Sequence, residues 1–171
     1  MKTVRIGFSR SNSKFAVLST LIRKVLKVEF SHVYFRFRSD KANRDLIYQA
    51  NSHGVYFTGG TQFLEHNAIV DEFEIAIEEE TFGKLLSFCI DELGKSYGFW
   101  NLLGLGLKTL LYRFQLKIPN FLADENKSYI CSELVAKIYN DLENDTLDTN
   151  NTTPVDLYDI IKDNKDFKRV T

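Results

Sequence analysis

SHVYFRFR (31–38) alternates along its length, with Val33, Phe35 and Phe37 on one side of an extended chain and His32, Tyr34, Arg36 and Arg38 on the other. The spacing predicts a strand over 32–38 with one apolar face. Upstream, residues 3–8 alternate in the same way through Val4, Ile6 and Phe8. Downstream, 45–51 and 54–58 read as two more strands joined near Ser52, His53 and Gly54, and 71–78 alternates with Phe73, Ile75 and Ile77 toward a core.

Helical spacing flanks these strands. Residues 13–27 carry Phe15, Leu18, Leu21, Ile22, Val25 and Leu26, and 81–93 carry Phe82, Leu85, Leu86, Cys89, Ile90 and Leu93, with Gly94 just past the end. A further helix is expected over 131–142 with Leu134, Val135, Ile138 and Leu142 inward, and a short one after Pro154. The glutamates at 78–80 suit a solvated strand-to-helix junction, and 144–153 is polar and loop-like. An antiparallel meander with helices at both ends predicts an α+β fold.

The chain has 171 residues, 44% of them hydrophobic and 26% charged, which suits one domain over 1–171 with a core of its own. A net charge of -1 leaves no basic excess for phosphates, so no nucleic-acid partner is expected. Two cysteines make no disulfide framework, the N-terminus is too polar for a signal peptide, and no apolar run is long enough to span a bilayer. The expectation is a soluble, cytoplasmic protein. The histidines and cysteines lack metal-ligand spacing, no cofactor is expected, and no Gly-x-Ser-x-Gly elbow is present.

Chemistry concentrates at two places. Cys131 precedes Ser132, Glu133 and a helical apolar stripe, which puts it at a helix N-terminus, where free N–H groups favour a thiolate and can hold an oxyanion. A buried packing cysteine fits the same position. Cys89 lies mid-helix on an apolar face and reads as core. His32 opens its strand on the side away from Val33, Phe35 and Phe37, well placed to meet a helix end, while His53 and His66 sit in turn-like surroundings.

The ordered set SHVYFRF, IYQANSHGVYF, ELGKSYGF and YICSELVAKIY resembles the permuted NlpC-type branch of papain-like enzymes, within it the YiiX/YaeF-like amidases, with lecithin:retinol acyltransferase-like enzymes as more distant relatives. IGFSRSNSKFAVLSTLIRKVL and TPVDLYDI resemble that family's opening and closing segments. The resemblance implies a circularly permuted papain-like fold, an antiparallel sheet or partial barrel packed against helices. It implies Cys131 as nucleophile, His32 as general base and Gln49 in the third position, where an acidic residue or histidine is usual. Asn51 and His53 stand in reserve for that position. Gln49 shares a strand face with Ile47 and Asn51, and its amide oxygen is expected to accept from His32 Nδ1–H. Tyr97 matches a tyrosine near the family's oxyanion hole, or packs beside Phe99 and Trp100; Ser132 is placed with it among oxyanion- or substrate-lining residues.

The implied activity is that of a cysteine hydrolase, an amidase or peptidase acting on a peptide-like amide such as a cell-wall stem peptide. WNLLGLGLKTLLYRFQLKIPNF (100–121) is leucine-rich with Lys108, Arg113 and Lys117 interspersed. It reads as a core helix plus loop, or as an amphipathic lid in weak contact with a membrane surface or an acyl chain. The lid would favour a lipid hydrolase or acyltransferase, and the Gln49 departure makes a non-catalytic binding module the third alternative. A small member without a signal peptide suits a phage or bacterial source.

Overall fold

A computed structural model describes residues 1–13, 17–98, 128–143 and 145–171. In chain order the elements are β1 (Lys2–Ser11), α1 (Val17–Leu26), β2 (His32–Ser39), β3 (Arg44–Asn51), β4 (Gly54–Gly59), α2 (Gly60–His66), β5 (Asn67–Ile77), α3 (Glu79–Asp91), β6 (Ser96–Tyr97), β7 (Ser128–Tyr129), α4 (Cys131–Glu143), α5 (Pro154–Asp163) and β8 (Lys168–Arg169). Phe15, the side chains of Leu18, Leu21, Ile22 and Val25, and the segment 100–121 lie outside the described residues.

The fold is α+β. Six antiparallel strands form one sheet in the order β4-β3-β2-β1-β5-β8, open at both edges and not closed into a barrel. The expected alternation sets the register: Val4, Ile6 and Phe8 of β1 lie opposite Phe37, Phe35 and Val33 of β2. These side chains and Phe73 of β5 face α3, α4 and α5, which bring Leu85, Cys89, Leu134, Val135, Ile138, Leu157 and Ile161 into one buried core. Fully burying such side chains stabilises the fold by roughly 1.5–3 kcal/mol each. Phe8, Phe30, Phe73 and Tyr158 add a ring cluster in which Phe8 meets Tyr158 edge to face at 5.0 Å.

The structure adds to or departs from the sequence reading in four places. Ile90 and Leu93 are 54% and 41% exposed, because the buried stripe of α3 runs through Leu85 and Cys89 and turns them outward. The 71–78 strand begins at Asn67 and carries a bulge: Phe8 pairs with Asp71 but Ser9 with Ile69, leaving Val70 as the extra residue. α2 has no counterpart in the sequence reading, since its seven residues give only Phe63 as an inward side chain. Finally, the His32 face of the sheet carries apolar cover of its own. Phe63 covers Tyr34 and Ile47 there in a second small apolar cluster.

That second face also buries charge. Glu72, 2% exposed, accepts from Tyr34 Oη at 2.8 Å and from Arg36 at 2.8 Å, and Arg36 also reaches Asp45 at 2.8 Å. The tyrosine ring lies directly over Gly7, where any Cβ would stand 2.2 Å from Tyr34 Cζ. Glycine at position 7 is therefore what lets the ring reach the carboxylate.

Candidate active site

The site is built where the start of β2 meets the start of α4. The backbone carbonyl of Ile130 accepts the first helical bond, from Leu134 N–H at 3.1 Å, so Ile130 acts as N-cap and Cys131 is the first helical residue. Glu133, three residues past the cap, reaches back to Ile130 N–H at 3.5 Å, half of a capping box. The backbone N–H groups of Cys131 and Ser132 have no intrahelical partner at this position, and both favour the thiolate.

α4 packs against β2 and β3. This brings Cys131 to the start of β2, where the Val33 N–H, on the peptide unit joining His32 to Val33, also favours its thiolate. Burial nevertheless wins: Cys131 is 5% exposed and its thiol is pushed above the ordinary value, the three N–H groups opposing the shift.

His32 bonds Gln49 at 2.8 Å, but through Nε2 and not through Nδ1 as the sequence suggested. An amide oxygen can only accept, so Nε2 carries the proton and Nδ1 is left as the basic nitrogen. Burial lowers the imidazole to about 4, with the Gln49 bond opposing the shift. Cysteine and histidine are thus both held neutral near pH 7, and an ion pair at rest, one of two forms open from sequence, is disfavoured.

Gln49 itself is 4% exposed, on the His32 face of β3 and apart from the main apolar core. Its neighbour Asn51 bonds Tyr56 and the turn instead of His32, and His53 is exposed at the turn. Neither takes the third position. His66 ends α2 and is exposed, and Cys89 is fully buried in the core.

Tyr97 lies beside Cys131. β6 pairs in parallel with β7, placing Tyr97 opposite Tyr129, and Gly98 N–H donates to Tyr129 O at 2.9 Å, two residues before the cysteine. Burial raises the Tyr97 phenol well above its usual value, and negative charge on Cys131 would raise it further. Phe99 and Trp100, the expected packing partners, lie outside the described residues. Ser132 departs from expectation. Its fully buried hydroxyl donates to the Thr152 carbonyl at 2.9 Å and ties α4 to the 149–151 turn. Its backbone N–H, and not its hydroxyl, is what favours the Cys131 thiolate.

Among the described residues no group of three or more His, Cys, Asp or Glu side chains is placed to hold a metal ion. A cleft of about 730 Å³ opens elsewhere on the sheet, between α2 and the Arg36, Arg38 and Asp45 side chains, and none of the residues above lines it.

Fold and site together define an α+β domain that sets a cysteine at the first turn of a helix against a strand whose histidine is held by a glutamine amide. No family model matches the chain, and no curated protein matches it. No described helix is long and apolar enough to cross a membrane.

Proposed function

We propose that the protein is a cysteine hydrolase of the permuted papain-like, NlpC-type kind, cleaving a peptide-like amide such as one in a cell-wall stem peptide. The observation that carries this reading is the placing of Cys131 at the start of α4, the helix that packs on the strand His32 opens, while Nε2 of His32 is engaged by Gln49. The chain order, histidine strand first and cysteine helix late, is that of the permuted family.

In the first half-reaction His32 Nδ1 takes the thiol proton as sulfur attacks the carbonyl carbon. The new oxyanion is held by the N–H of Cys131, with the Tyr97 hydroxyl as second donor. The imidazolium passes its proton to the leaving amine, the C–N bond breaks, and a thioester remains. Water, deprotonated by Nδ1, then attacks the thioester, releasing the acid and returning the proton to sulfur. Gln49 keeps the ring oriented throughout, as an amide does in papain-like enzymes.

The neutral resting pair and the amide partner favour one further reading, a binding module that retains the fold without turnover. The lipid hydrolase or acyltransferase alternative rests on 100–121, outside the described residues. An acyl probe that reacts through a thioester separates catalysis from binding. Labelling should vanish in Cys131→Ala and fall by about 100-fold or more in His32→Ala, the usual contribution of a positioned base. Equal labelling of wild type and His32→Ala would sink the catalytic reading. Product analysis on peptidoglycan fragments and on lipid esters decides the substrate class.

A further inference from the structure

The register of the β3–β4 hairpin places a second layer behind Gln49. Ser52 and His53 form the turn, so Asn51 lies opposite Gly54 and Gln49 opposite Tyr56. Gly54 closes this turn at φ +95, and a Cβ there would stand 2.6 Å from the Lys95 carbonyl, so the turn geometry is narrowly set. Gln49, Asn51 and Tyr56 then share one sheet face.

Their hydrogen bonds converge on the Tyr56 hydroxyl from two sides. The His53 backbone N–H can only donate, and it donates to Asn51 Oδ1 at 2.9 Å. Asn51 must therefore offer its nitrogen to the other side, and Nδ2 donates to Tyr56 Oη at 2.5 Å. The same hydroxyl oxygen accepts Gln49 Nε2 at 3.1 Å. With its nitrogen held there, the Gln49 amide presents its oxygen to His32 Nε2. A glutamine amide rotated by half a turn would present N–H to that ring nitrogen and select the other tautomer, with the proton on Nδ1.

We infer that Asn51 and Tyr56 are positioning residues that fix the His32 tautomer by holding the Gln49 amide with its oxygen inward. The geometry stands by itself; its catalytic consequence rests on the function proposed above. A carboxylate at position 49 accepts with either oxygen and needs no such orientation. A neutral amide does, which explains why this polar layer accompanies Gln49.

The test reads the ring nitrogens directly. Nitrogen-15 spectra of the full chain, recorded above the imidazole titration, assign His32 by its loss in His32→Gln. Wild type should carry the proton on Nε2. Tyr56→Phe should raise the Nδ1–H share about fivefold, the effect of losing one net hydrogen bond, and Asn51→Ala should shift it in the same direction. In a Gln49→Glu background, Tyr56→Phe should leave the tautomer unchanged. A wild-type proton on Nδ1 would overturn the inference. So would an unchanged spectrum in both folded single variants, or a Tyr56→Phe response of equal size with and without the Gln49→Glu substitution. Acyl labelling is scored separately: labelling that ignores His32 while the tautomer follows Tyr56 removes the catalytic reading and leaves the positioning network intact.

Discussion

The imidazole of His32 is pulled two ways: the surrounding protein disfavours its cation, and the Gln49 oxygen favours it through the Nε2–H bond. Burial dominates, because a neutral amide contributes one hydrogen bond and no charge. Two outcomes follow. Because the base is competent only when deprotonated, the acid limb of Cys131 acylation should have its midpoint near pH 4. Gln49→Glu places a carboxylate on the ring, favours imidazolium, and should move that limb upward by about 1–3 pH units. A pH profile of probe labelling that stays put would show that position 49 does not govern the ring. The second outcome concerns stability. The folded value of about 4 lies below the ordinary value of 6.5, so between these limits the unfolded chain binds more protons. Stability should therefore fall as pH drops from 6.5 toward 4, and a wild-type minus His32→Gln comparison by urea unfolding should isolate that slope.

At the scale of elements, α4 does two separate jobs with adjacent residues. Cys131 faces the strand, and Ser132 clamps the helix to the 149–151 turn through the Thr152 carbonyl. That turn leads into α5, whose Thr153 and Asp156 form a complete capping box with Pro154 in the first turn. Ser132→Ala should thus cost about 1–3 kcal/mol in urea unfolding, since it strands a buried carbonyl. The acyl-labelling rate of the folded variant should stay within about twofold of wild type, the result expected when side chain and chemistry are separate. A large rate loss at unchanged stability would return Ser132 to the substrate-lining role that its sequence position suggested.

At the scale of the whole molecule, the sheet is held on both faces by different physics. One face is an apolar core shared by three helices, and the other pairs Glu72 with Arg36 and Tyr34 beneath the central strands. On the core face Arg169 and Tyr158 bind buried Asp71 and dock the C-terminal strand on β5. Removing one member of a buried network leaves its partners uncompensated. Glu72→Ala should lower unfolding stability by about 3–5 kcal/mol, seen as a lower urea midpoint, while Tyr56→Phe, at the rim of the same face, should cost about 1 kcal/mol.

Period and punctuation alone determined much of this protein. Alternation in SHVYFRFR separates the His32 face from the core face, the Ser52–His53 turn fixes Gln49 opposite Tyr56, and Cys131 stands at the break between a strand and a helical stripe. Tyr56 was within reach of that register, although no motif marked it. Other features depend on contacts between residues distant in the chain, which no local pattern encodes. These include β1 between β2 and β5, Phe63 closing over Tyr34, the burial of Gln49 and the choice of Nε2. A side chain's charge and tautomer follow from the dielectric and the partners around it, and only the folded chain brings those together.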